Sequence, residues 1–87
     1  MITLIDFYAD WCGPCQAMTP IFKEIAGKYA GKVDFKKVDV EVETNTAAGY
    51  GVRSIPTFVI EKDGKEIDRR MGAMPKDTLA SWLDAHI

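Results

Sequence analysis

The first run of the chain, Ile2-Thr3-Leu4-Ile5-Asp6-Phe7-Tyr8, is apolar and β-prone apart from one charge, and predicts a strand over about 2–8. Beyond it the period changes. Met18, Ile21, Phe22, Ile25 and Tyr29 recur at helical spacing and predict a helix over about 13–30, with Ala30-Gly31 as its stop. Val33 to Val40 alternates enough to predict a strand over about 33–40 with one polar face. A short helix (about 44–50) and two strands (about 56–61 and 65–71) follow, the strands joined at Asp63-Gly64, a strong hairpin signal. The closing helix, about 75–86, can take Pro75 in its first turn and turns Leu79, Trp82, Leu83 and His86 or Ile87 toward the sheet. The expected fold is α/β, in the order βαβαββα, with a four-stranded mixed sheet flanked by helices.

The only two cysteines lie in Trp11-Cys12-Gly13-Pro14-Cys15, at the junction of the first strand and the first helix. A helix start favours thiolate over thiol through its free N–H groups and the positive end of its dipole, and the thiolate is the nucleophile. This points to thiol–disulfide exchange. Cys12, ahead of the helix, is expected to reach solvent and attack a partner's disulfide. Cys15, one turn further in and partly covered, is expected to resolve the mixed disulfide and release the reduced partner. Gly13 tolerates close approach of that partner, and Pro14 suits a first helical turn because its missing N–H would be unpaired there anyway.

Trp11-Cys12-Gly13-Pro14-Cys15, preceded by Ile5-Asp6-Phe7, resembles the active-site strand and helix of the thioredoxin family. The likeness extends to Pro20 inside the helix, to Val52-Arg53-Ser54-Ile55-Pro56-Thr57, which resembles the segment holding the family's cis-proline, and to Met71-Gly72-Ala73, which resembles its glycine-containing groove segment. The family's usual N-terminal strand and helix are missing ahead of Ile2. What remains matches the minimal thioredoxin core, as in glutaredoxins, with the strand at about 33–40 left at a sheet edge, where its lysines and aspartates discourage edge-to-edge pairing. The start methionine suggests a naturally short protein rather than a trimmed fragment.

The resemblance implies further roles. Asp6 would be a buried acid with a raised pKa that accepts the Cys15 proton, with Lys37 approaching it from the neighbouring strand as a supporting residue. Pro56 would follow a cis bond and present the Ile55 backbone to an extended client segment. Trp11, Gly13, Pro14, Ile55, Gly72 and Ala73 would form a flat apolar rim around Cys12, which Met74 extends. Implied partners are disulfide-bearing client proteins and a recharging thioredoxin reductase, either NADPH- and flavin-dependent or ferredoxin-linked. No bound cofactor is implied beyond the Cys12–Cys15 disulfide. Two positions depart from the pattern: Tyr8 replaces a frequent tryptophan, and Gln16 replaces a frequent basic residue after the second cysteine.

Composition agrees with one domain over 1–87. A chain this long buries about 60–65% of its unfolded surface, enough for a modest core without staples. The net charge of −2 gives no broad reason to expect nucleic acid. The N-terminal apolar run is too short for a membrane span and has no signal-peptide flanks, so the expectation is a cytoplasmic monomer. Two cysteines and one distant histidine, His86, fall short of a closed zinc site, and a histidine at that helix end is expected to answer the helix dipole. The remaining rival is a binding module of the same fold with dispensable thiols.

Overall fold

The computed structural model describes all 87 residues. The elements are β1 (Ile2–Tyr8), α1 (Gly13–Lys28), β2 (Val33–Asp39), α2 (Thr44–Gly49), β3 (Thr57–Lys62), β4 (Lys65–Met71) and α3 (Lys76–Asp84). The strands form one sheet in the order β2-β1-β3-β4. β1 and β2 run parallel through the α1 crossover, and β3 and β4 run antiparallel to their neighbours. Central β1 is covered on both faces, which is why its sequence reads as a near-continuous apolar run rather than an alternation. β2 lies at an edge as expected.

Two layers cover the sheet. Ile2 and Leu4 of β1 with Phe58 and Ile60 of β3 pack against Met18, Phe22 and Ile25 of α1 and Leu79, Trp82 and Leu83 of α3. On the opposite face Ile5, Phe7, Val38 and Val59 pack against Ala47 of α2. β2 differs from the single polar face expected of it. Val33 is buried under α1 and Val38 under α2, five positions apart and so on opposite faces, while Lys36 and Lys37 between them are exposed.

Element ends shift where local chemistry overrides periodicity. α1 stops at Lys28 because Tyr29 is its C-cap and Gly31 takes φ +83, a left-handed turn suited to glycine. β3 begins after Pro56, which has no N–H for a ladder, and α3 begins after Pro75, whose ψ of 154 makes it the extended N-cap. At the β3–β4 hairpin Asp63 (φ 53) and Gly64 (φ 84) are both left-handed, the pattern of a type I′ turn.

α3 ends at Asp84, earlier than its periodicity suggests. His86 is half-buried with Nε2 2.9 Å from Asp68 Oδ2 of β4, so its partner is a carboxylate in addition to any helix dipole. The same oxygen accepts from Trp82 Nε1 at 2.8 Å, which fastens α3 to β4. Ile87 is exposed and does not face the sheet. No helix is long and apolar enough to cross a membrane.

Candidate active site

The site forms where β1 ends and α1 begins. The chain leaves β1 through Ala9, Asp10 and Trp11, and Cys12 is the extended N-cap of α1 (φ −83, ψ 112). Its sulfur accepts the Cys15 backbone N–H at 3.2 Å, so one unpaired donor of the first turn already points at the reactive atom. Pro14 occupies the first turn, and no acidic side chain lies there to oppose negative charge on sulfur. A Cβ on Gly13 would meet nothing within 4 Å, so the surface beside the sulfurs is open at that point.

Cys12 and Cys15 are joined as a disulfide. The expected contrast between an open and a covered cysteine does not hold in this oxidised form, where the two residues are 5% and 4% exposed. The Cys12 sulfur lies over the first turn of α1, in a small buried cluster with Ala9 and Cys15 against which Ile55 packs. It lies 3.9 Å from the Ile55 carbonyl oxygen, a contact that becomes a hydrogen bond only when that sulfur carries a proton.

Pro56 lies behind this contact, and its peptide bond to Ile55 is cis. The Pro56 carbonyl accepts the Gly72 N–H at 2.8 Å, and Thr57 Oγ1 closes the turn by donating to the Ser54 carbonyl at 2.6 Å. The Gly72–Pro56 bond, continuing the pairing of Thr57 with Met71, brings the 55–57 and 71–73 segments together. Gly72 adopts φ +95, a conformation that side chains rarely take, and Ala73 beside it is exposed. Met74, next in the chain, is half-buried: it packs against the larger core cluster, and its N–H points at Met18 Sδ at 3.4 Å.

Trp11 is 68% exposed, yet its indole N–H is anchored to Glu41 Oε1 at 2.6 Å. Trp11 and Ile55 line a cleft of about 220 Å³ together with Val40, Val52, Arg53 and Ser54. Glu41 and the Val40–Val52 wall escaped the sequence reading. Glu41 lies 30 residues from Trp11, in a loop with no motif of its own, so only folding brings the pair together.

Asp6 lies on the β1 face covered by α1. It is 1% exposed, and its Oδ1 has no hydrogen-bond partner. Burial pushes the carboxyl up to about 6, while the positive charge of Lys37 pulls the other way. Lys37 stands directly opposite Asp6 in the parallel register, and Lys36 faces the other side. The Lys37 Nζ lies 4.5 Å from the centre of the Tyr8 ring. A second cleft, of about 410 Å³, is lined by Tyr8, Lys37, Cys15, Gln16 and Thr19 among others, and Gln16 Nε2 donates to the Asp10 carbonyl at 2.6 Å. The arrangement combines a dithiol pair at a helix start, an apolar cleft beside it and a buried acid that changes charge near neutral pH. No three His, Cys, Asp or Glu side chains converge as a metal-ligand set.

Comparison with known proteins agrees with this chemistry. A family model described as thioredoxin matches residues 1–85. Thioredoxin 2 of Chlorobaculum tepidum is 49% identical over 86 residues, which cover 99% of this chain and 79% of that protein. Thioredoxins of Staphylococcus epidermidis and Staphylococcus aureus are 48% and 46% identical, each match covering 99% of this chain and 83% of the relative.

Proposed function

This chain belongs to the thioredoxin family and is a thiol–disulfide oxidoreductase, and from that premise we propose how its residues divide the work of reducing client disulfides. The observation that carries the proposal is the Cys12–Cys15 disulfide at the start of α1, with a backbone N–H already directed at the Cys12 sulfur. In the reduced protein, the Cys12 thiolate attacks one sulfur of a client disulfide. A Cys12–client bond forms, the client's own S–S bond breaks, and one client thiolate leaves. Cys15 then gives up its proton and attacks Cys12 Sγ. This restores the Cys12–Cys15 bond and expels the second client thiolate, so the client gains two electrons and the protein loses them.

Asp6 is the acceptor for the Cys15 proton. With its carboxyl near 6 it is mostly ionised at pH 7, yet basic enough to take a proton, the compromise that general base catalysis favours. Lys37 supports it electrostatically. Trp11, Ile55, Gly72 and Ala73, with Gly13, Pro14 and Pro56, form the docking rim, and the Ile55 backbone beside the sulfur offers strand-like hydrogen bonds to an extended client segment. That mode asks little of client side chains, so many disulfide proteins are suitable substrates.

Residues 1–87 act as one domain, and a monomer suffices because every group in this scheme comes from one chain. Thioredoxins need no resident cofactor. A separate reductase, flavin-dependent with NADPH or linked to ferredoxin, supplies two electrons and two protons to reopen the disulfide. A cytoplasmic setting fits this reducing role.

Two cysteine variants test the division of roles. Cys15→Ser retains attack and accumulates a mixed disulfide through Cys12, detectable by mass spectrometry, whereas Cys12→Ser loses protein-disulfide reduction. Adducts through Cys15 with Cys12 inert would reverse the assignment. A wild-type protein that fails to reduce protein disulfides, together with a Cys12→Ser/Cys15→Ser protein that keeps full partner binding, would leave a binding module in place of the enzyme.

A further inference from the structure

We propose that Tyr8 is a positioning residue for the resolving step: its ring holds the Lys37 ammonium beside Asp6 and so fixes how much positive charge the buried carboxyl feels. The inference rests on the reading of Asp6 as proton acceptor and adds a residue that acts on it through Lys37.

The β1–β2 register supplies the geometry. Asp6 and Tyr8 are two positions apart on β1 and therefore share a face. Their partners on β2 are Lys37 and Asp39, so Lys37 is directly opposite the acid and diagonal to the tyrosine, within reach of a long side chain. The Lys37 Nζ stands 4.5 Å from the Tyr8 ring centre, well inside cation–π range, and Lys37 takes part in none of the molecule's ion pairs. β2 is an edge strand and Lys37 is exposed, so without the ring its flexible stem is free to extend into water, where solvent and salt screen its charge.

The charged surroundings make the ring's hold significant. The carboxylates around Tyr8 are Asp39, Asp10, Asp6 and Glu43; Asp39 comes from β2, Asp10 from the β1–α1 turn and Glu43 from the segment before α2. Burial and these carboxylates together push the phenol up, so the ring is neutral at neutral pH and attracts Lys37 through its face. Asp39 and Asp10 would otherwise compete for the ammonium. α1 contributes no charge here: its groups in the shared cleft are Cys15, Gln16 and Thr19. From β3, Phe58 is the register partner of Asp6 and is likewise uncharged. Tyr8 and Lys37 thus line the same cleft as the resolving cysteine, on the acid's side of the sheet.

The test follows the Asp6 carboxyl carbon by NMR from pH 4 to 9 in the oxidised full chain, alongside the pH dependence of mixed-disulfide resolution. Tyr8→Leu is expected to raise the Asp6 midpoint by about half a unit or more, part of the shift that an adjacent opposite charge produces. Tyr8→Phe keeps the ring face and should titrate like wild type. In a Lys37→Met background, Tyr8→Leu should add nothing. In the unmodified protein, the Lys37 Hε protons should show the upfield shift of groups above an aromatic ring. The inference is overturned by an unmoved or lowered midpoint in Tyr8→Leu, by a Phe variant that behaves like Leu, by an effect that persists without Lys37, or by unshifted Hε protons. Asp6→Asn separates the two levels. If its resolution rate keeps the wild-type pH profile, the proton-acceptor role fails, and the NMR midpoints still decide whether Tyr8 governs the carboxyl.

Discussion

Asp6 costs the folded protein stability at neutral pH, and replacing it with asparagine should remove that cost. Its carboxyl is 1% exposed with one oxygen unpaired, and burial raises its pKa from 3.8 to about 6. Between those two values the native state binds more protons than the unfolded state, so stability falls as pH rises through the window. Integrated over the window from 3.8 to about 6, the penalty is about 3 kcal/mol at pH 7, of which about half has accrued by pH 5. Below pH 3.8 both states are protonated and the penalty vanishes. Asp6→Asn keeps the shape of the side chain and cannot ionise, so it should be about 2–3 kcal/mol more stable than wild type at pH 7–8, the upper figure falling to the lower as the buried amide also lacks partners. At pH 3.5 the advantage should fall by nearly 3 kcal/mol, leaving the variant between equal to wild type and about 1 kcal/mol less stable. Urea unfolding of the two oxidised proteins at a series of pH values measures the difference directly, provided their m-values agree. A stability difference that does not vary with pH, or that grows on acidification, would refute the account of Asp6 as a carboxyl ionised against its environment.

Asp68 should behave in the opposite sense, because the indole N–H of Trp82, the His86 ring and the Arg69 N–H hold its carboxyl below the usual range. Its contribution is present above the ordinary carboxylate pKa and lost as pH falls through the depressed one. Asp68→Ala should therefore cost about 0.5–1 kcal/mol at pH 7, a figure discounted for solvent screening because the side chain is 40% exposed, and progressively less in acid, measured by the same unfolding series. Glu41→Ala should release the Trp11 indole from its 2.6 Å anchor and raise KM for a protein disulfide several-fold, with little change in alkylation of Cys12 by a small reagent. Equal losses toward client and small reagent would place the effect on the sulfur rather than on the rim.

Much of this molecule is determined by local sequence, and the reasons are local. The alternation of strand-like and helical periods, the glycine at φ +83 after α1 and the Asp63-Gly64 turn each act within a few residues, so their consequences are legible along the chain, whereas β3 and α3 each begin just after the proline at which periodicity had placed their start. The same holds for the dithiol, since Cys12 and Cys15 are set by one helical turn and need no distant partner to lie together.

Tertiary structure decided what depends on approach between segments far apart in sequence. The burial of Asp6 arises because β1 is central and covered on both faces, a property of strand order and not of the run Ile5-Asp6-Phe7. Register decided that Lys37, rather than Lys36, stands opposite the acid, and the edge position of β2 left that lysine free to lie over Tyr8. The anchoring of Trp11 by Glu41, the seating of Ile55 against the dithiol and the joint hold of Trp82 and His86 on Asp68 join residues that carry no mark of one another in the sequence. Hydrophobic periodicity specifies which face of an element is buried, whereas the polar partners met there depend on how the elements stack, so the reactive pair was written in the sequence and its electrostatic surroundings were set by the packing of the sheet and helices.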